Sequence, residues 1–166
     1  PGAPGGHLVL VGGGRKPKAA VDLFVRLAGG SAARIVVLPM ASGESRAAGG
    51  DYITLFGERG VRDVQVLHVD DRRDAFRSAF VEAVRGATGV FFSGGDQSRI
   101  AARLVDTPLL DALRAMKKAG GVVGGTSAGT ACQSAVMLTG TGGNERVLRY
   151  GNIPTTEGLG LAEGVI

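Results

Sequence analysis

Cysteine, histidine and tryptophan are scarce in this chain, whose 166 residues include one Cys, two His and no Trp. A lone Cys132 closes no internal disulfide and supplies no cysteine metal cluster, so its expected role is that of a small buried hydrophobe. With two Tyr and no Trp, aromatic side chains are not interleaved among the 19 basic residues, which argues against a nucleic-acid reader. The net charge of +4 reads instead as a solvated surface. No apolar run approaches the roughly 20 residues of a membrane span. No basic segment followed by an apolar one marks an export signal, so the expected location is cytoplasmic. The shortage of histidine matters most, because any chemistry that needs a general base has only His7 and His68 to draw on.

What is abundant is apolar sequence, 44% of residues, and 29 Gly. That excludes a disordered chain, and the length suits one domain. Residues 1–6 read as a flexible lead-in and 7–166 as a single α/β hydrolase-type domain. Strand-like runs at Leu8–Val11, Arg34–Pro39, Asp63–Val69, Gly89–Phe92 and Gly121–Gly124 alternate with helix-like segments. These helices are expected at Lys18–Leu27, Arg46–Arg59, Phe76–Val84, Ser98–Leu104 and Leu109–Lys118, the last two separated by Pro108. The alternation predicts a three-layer, doubly wound α/β fold, a mostly parallel sheet with helices on both faces. Ala135–Thr139 is a further strand candidate, and the chain ends on an apolar run, which implies that the domain is incomplete at that end.

After the fifth strand comes Gly124-Gly125-Thr126-Ser127-Ala128-Gly129, followed by a helix-like segment. This is the pattern of a nucleophile elbow, with glycines where a Cβ would collide and the Ser127 hydroxyl raised near a helix start. Composition alone predicts about 0.2 copies of G-x-S-x-G in such a chain. Context therefore has to carry the assignment. Sites on open parallel sheets form at the carboxyl ends of strands. If the fourth and fifth strands are neighbours, the loop Ser93-Gly94-Gly95-Asp96-Gln97 sets the Gly95 amide beside that of Ala128, making an oxyanion hole; otherwise Gly94-Gly95 is only a tight turn.

A serine needs a base. His7 begins the first strand, at the wrong end of the sheet, and His68 is either a base or an ordinary strand residue. Glu145 and Glu157 follow the elbow, where a third triad member is expected, and either is equally a surface charge. The run ending in Gly12-Gly13-Gly14 lacks G-x-G-x-x-G spacing, since Lys16 and Pro17 stand where close helix approach needs glycine, so no dinucleotide is expected.

Four ordered motifs, Gly6-His7-Leu8 with its following Gly-Gly-Gly, Phe92-Ser93-Gly94-Gly95-Asp96-Gln97, the elbow and Gly158-Leu159-Gly160-Leu161, together resemble cyanophycinase and its relatives. These are serine peptidases grouped with aspartyl dipeptidase, of a fold akin to class I glutamine amidotransferases. The resemblance implies Ser127 as nucleophile, Gly95 and Ala128 as oxyanion-hole positions, Gln97 as an active-site residue that binds substrate, and Glu145 near the acid that orients the histidine. It further implies hydrolysis of a β-aspartyl bond in a peptide or amino-acid-derived substrate, no metal or organic cofactor, and a homodimer.

The sequence also departs from that pattern. In the family, the stretch after Gly-Leu-Gly-Leu runs on into an Asp-Gln-His-Phe-like motif holding the catalytic histidine, and this sequence stops at Ile166. Either the sequence is truncated or the protein is cleaved there, with the remainder as a second chain; the position of the break favours autoprocessing. Thr130 and Cys132 stand where small or aliphatic residues are expected, which keeps open a biosynthetic relative acting on a small-metabolite amide or ester. A catalytically silent binding homologue is the reading from a different class.

Overall fold

The computed structural model describes residues 5–139 and 154–162. Strands β1 (His7–Val11), β2 (Arg34–Leu38), β3 (Asp63–Val66), β4 (Gly89–Phe92) and β5 (Val122–Thr126) form one parallel sheet in the order β1-β5-β4-β2-β3. β4 and β5 are buried at every position, as parallel strands covered on both faces must be. Along β2, Ile35 and Val37 enter one core while Val36 and Leu38 enter the other, the alternation that a pleated strand imposes.

Helices α1 (Lys18–Leu27) and α2 (Ser45–Gly57) cover the first face, where Phe24, Tyr52, Phe56 and Phe91 form an aromatic cluster with Phe24 and Phe91 edge to face at 5.1 Å. Helices α3 (Ser78–Gly86), α4 (Gln97–Leu104) and α5 (Pro108–Lys118) bury Val81, Ile100, Leu104 and Leu109 on the second. The chain winds outward from β1 through β2 to β3 over one face, then returns through β4 to β5 over the other. Connections after the adjacent strands β2 and β4 therefore leave on opposite faces, and a crevice opens at their carboxyl ends.

Several boundaries differ from the sequence reading, each for a local reason. The third strand ends at Val66, because its partner β2 ends at Leu38 and the Leu67 N–H makes the last ladder-like bond, to Val37 O at 3.0 Å. The helix expected from Phe76 begins at Ser78, since residues Arg72–Phe76 form a 3-10 turn capped by Asp71, whose carboxylate accepts from the Arg73 N–H at 2.8 Å. Pro108 opens α5 at the first helical position, where a missing N–H costs nothing, and Thr107 caps it.

The helix after the elbow, α6 (Ala128–Ala131), is a single turn. It stops because residues 158–162 run alongside and capture the next carbonyls: the Leu159 N–H bonds Cys132 O at 2.7 Å, and those of Leu161 and Ala162 bond Gln133 O at 2.8 and 2.7 Å. Arg114 of α5 pins the same segment through Leu159 O at 3.0 Å, and Leu159 and Leu161 are buried. Between them lies an antiparallel pair, β6 (Val136–Leu138) with β7 (Thr155–Glu157). No helix among the described residues is long and apolar enough to cross a membrane.

Candidate active site

Ser127 connects β5 to α6 with φ 52° and ψ −115°, a conformation an L-residue adopts at a cost of roughly 1–3 kcal/mol. The surrounding bonds hold it there. Its own N–H donates to Val11 O at 2.9 Å, and its carbonyl accepts from the Thr130 and Ala131 N–H groups at 2.8 and 2.9 Å. Thr130 reinforces the turn: its hydroxyl accepts from the Val11 N–H at 3.1 Å and stands 2.7 Å from Val11 O and 2.9 Å from Gly125 O. A Cβ at Gly125 would strike Gly129 O, so this close approach of backbone to backbone requires glycine. The result is an exposed Ser127 between the buried residues Thr126 and Ala128.

Two strand-end loops meet this serine. A Cβ built at Gly94 would lie 3.4 Å from Ser127 Cβ, and one at Gly13 would lie 3.7 Å from Ser127 Oγ. Gly95 adopts φ +140°, and a Cβ there would strike Ala41 O, which also accepts from the Asp96 N–H at 2.9 Å, so the loop after β4 is locked onto the loop after β2. Because β4 and β5 pair directly, Gly95 and Ala128 stand at the ends of adjacent strands. The Ala128 N–H opens α6, where no intrahelical acceptor exists.

Ser127 lies at one wall of a cleft of about 400 Å³. Its other walls include Gly14, Lys16, Asp51, Tyr52, Ser93 and Gly94. Ser93 is 2% exposed and its hydroxyl has no hydrogen-bond partner. The Lys16 ammonium sits 5.0 Å from the centroid of the Tyr52 ring. Burial, and secondarily the charge of Asp51, pushes the Tyr52 phenol well above its ordinary range. Among the described residues no group of three or more His, Cys, Asp or Glu converges as a metal-binding set.

The model of peptidase family S51 matches residues 8–166. The chain belongs to peptidase family S51. It is 37% identical over 163 residues to a cyanophycinase of Geminocystis herdmanii, covering 95% of this chain and 60% of that protein. It is 39% identical over 168 residues to a cyanophycinase of Thermosynechococcus vestitus, covering 97% of this chain and 52% of that protein. The S51 chain thus spans between about half and three fifths of the length of these curated relatives. Among solved structures, a peptidase from an acI-B1 actinobacterium superposes with a TM-score of 0.74 at 30% identity, over 94% of this chain and 64% of that one.

The remaining candidates of the S51 chain fall elsewhere or outside the described residues. Gln97 begins α4, and its amide donates to Leu138 O at 2.7 Å; it lines a separate cleft of about 270 Å³ with Leu10, Met137 and Leu138. Glu145 lies outside the described residues. Glu157 is on β7 beside a third cleft with Arg72 and Asp106. His7 pairs with Val122 at the amino end of the sheet, and His68 follows the edge strand β3, its Nδ1 buried without a partner. Neither histidine lines the Ser127 cleft.

Cys132 is fully buried, and burial pushes its thiol well up. Thr130, an oddity by sequence, ties β1 to the elbow. Lys16, Asp51 and Tyr52 were not among the sequence candidates. Lys16 is legible as the second residue after the glycine turn at the end of β1, whereas Asp51 and Tyr52 come from α2, whose position over the sheet no local spacing encodes.

Proposed function

We propose that this S51 chain carries the nucleophile and oxyanion-binding loops of a serine peptidase that cleaves a β-aspartyl amide bond through an acyl-enzyme. The observation that carries the reading is Ser127, exposed in a strained turn at the wall of a cleft and braced by the Val11 and Thr130 bonds. A serine stored in that conformation costs stability, and catalysis is the recurrent reason for such storage. The cyanophycinase relatives support the peptidase class of reaction, and the β-aspartyl form of the bond is what the motif resemblance implies.

In the proposed mechanism Ser127 Oγ attacks the scissile carbonyl while a base takes its proton. The N–H groups of Gly95 and Ala128 receive the negative oxygen of the tetrahedral intermediate, each worth roughly 3 kcal/mol in the transition state. The base returns the proton to the leaving amine, and water hydrolyses the ester on Ser127. The base in this proposal is a histidine supplied from outside residues 1–166, oriented by Glu145; His7 and His68 stand away from the cleft.

The test is hydrolysis of β-aspartyl-arginine against α-aspartyl-arginine by the full-length protein, with mass-detected fluorophosphonate labelling of Ser127. Preference for the β-linked dipeptide, labelling at Ser127, and loss of both in Ser127→Ala are expected. A wild-type serine that stays unlabelled refutes the nucleophile and points to a silent binding homologue.

A further inference from the structure

Three buried side-chain polar atoms have no hydrogen-bond partner among the described residues: His68 Nδ1, Ser93 Oγ and Gln133 Oε1. Of these three residues, Ser93 alone lines the Ser127 cleft. It is the first residue after β4, and its N–H continues the ladder by donating to Leu38 O at 3.2 Å, so its backbone is held. Strand alternation sets its side chain on the face of Phe91, two residues earlier, whose ring centroid lies 5.2 Å from that of the cleft residue Tyr52. A Cβ on the next residue, Gly94, would lie 3.4 Å from both Ser127 Cβ and Thr126 O, so Ser93 stands one residue from contact with the elbow. At 2% exposure an unpaired hydroxyl carries a cost in the unliganded protein that alanine in the same place would not.

We infer that Ser93 is a substrate-binding residue whose hydroxyl pairs with an amide group of the substrate at the floor of the Ser127 cleft. A serine side chain has a single torsion, and a turn between its staggered wells re-aims Oγ while the backbone stays on Leu38 O. The hydroxyl both donates and accepts, so either the N–H or the C=O of an amide satisfies it. An uncharged partner suits the position, because a charged one would lose its hydration there. Oγ is closed to water in the unliganded protein, so the bond made on binding replaces an orphaned group rather than a bond to solvent. This inference rests on the reading of Ser127 as nucleophile for placing the substrate in this cleft.

The experiment uses the full-length protein with β-aspartyl-arginine as the probe, titrated calorimetrically into Ser127→Ala and into the double variants that add Ser93→Ala or Ser93→Cys. Affinity should fall about 5–10-fold in both double variants, the worth of one hydrogen bond. Cysteine fills the space of serine with only a weak hydrogen-bonding group, so a similar loss in the two separates the missing bond from missing packing. Without ligand, Ser93→Ala should melt at or above the wild-type temperature, because no bond is lost. Unchanged affinity in both double variants, a loss with alanine that cysteine restores, or an alanine variant that melts well below the wild type overturns the assignment. Since the titrations need no turnover, an unlabelled wild-type Ser127 sinks the nucleophile and leaves the Ser93 result standing. Failure of the dipeptide to bind Ser127→Ala sinks the substrate reading and the Ser93 assignment with it.

Discussion

Replacing Thr130 by valine removes one hydroxyl from the elbow and keeps the shape of the side chain, so the energetic consequence can be worked out from the bonds lost. The Val11 N–H, on a residue 7% exposed at the end of edge strand β1, loses its acceptor at 3.1 Å. An orphaned buried N–H costs about 1–3 kcal/mol. The bond the hydroxyl donates, to Val11 O or Gly125 O, is a further loss of about 1 kcal/mol, lessened at Val11 O because the Ser127 N–H still occupies it. The sum is about 2–4 kcal/mol, which for a domain of this size lowers the melting temperature by roughly 4–16 °C. Since the same carbonyl anchors the Ser127 N–H, loosening it should also slow fluorophosphonate labelling of Ser127. Thr130→Ser keeps the hydroxyl and should recover most of both quantities. Thermal unfolding followed by circular dichroism, with labelling rates in parallel, measures this. A valine variant that melts within a degree of the wild type and of the serine variant would refute the claim that this hydroxyl braces the elbow.

Three further outcomes are expected. Ser127→Gly should be more stable than Ser127→Ala by roughly 1 kcal/mol, because only glycine occupies φ 52° without strain, and equal urea midpoints would contradict the stored strain. Gly95→Ala should cost more than about 3 kcal/mol, its Cβ driven into Ala41 O at φ +140°, whereas Gly94→Ala, whose Cβ meets ordinary contacts at 3.4 Å, should melt far closer to the wild type. Stability should decline with alkali: burial keeps the Cys132 thiol and the Tyr52 phenol protonated in the folded chain above the ordinary values of 9.0 and 10.0. The unfolded chain releases those protons first, so the contribution is fully present below about pH 9 and is lost as pH rises through 9 and then 10. Urea midpoints from about pH 8 to about pH 10.5 measure the slope, and Cys132→Ala and Tyr52→Phe should each flatten it.

The layer order of the domain and its elbow were legible in the linear sequence, because both rest on short-range physics. Runs such as Ile35-Val36-Val37-Leu38 are buried wherever a parallel sheet is covered twice, and Gly125 is demanded by its close approach to Gly129 O four residues on, whereas Gly129 is demanded by Phe92 of the neighbouring strand β4. Helix starts were legible only to within a residue or two, since caps such as Asp71 and Thr107 act through side-chain bonds that periodicity does not register.

Long-range bonds decided the rest. The helix after Ser127 ends at one turn because residues 158–162 capture its carbonyls, and Thr130 braces the turn through a strand 119 residues away. The placement of Gln97 against Leu138 and the convergence of Lys16, Asp51 and Tyr52 on Ser127 follow from the strand order β1-β5-β4-β2-β3. The glycine-serine pattern of the turn is written in consecutive residues, while the bonds to Val11 that hold Ser127 in its strained conformation come from a distant strand. What surrounds it is a property of the fold, because the loops that form the cleft come from strands that only sheet pairing makes neighbours.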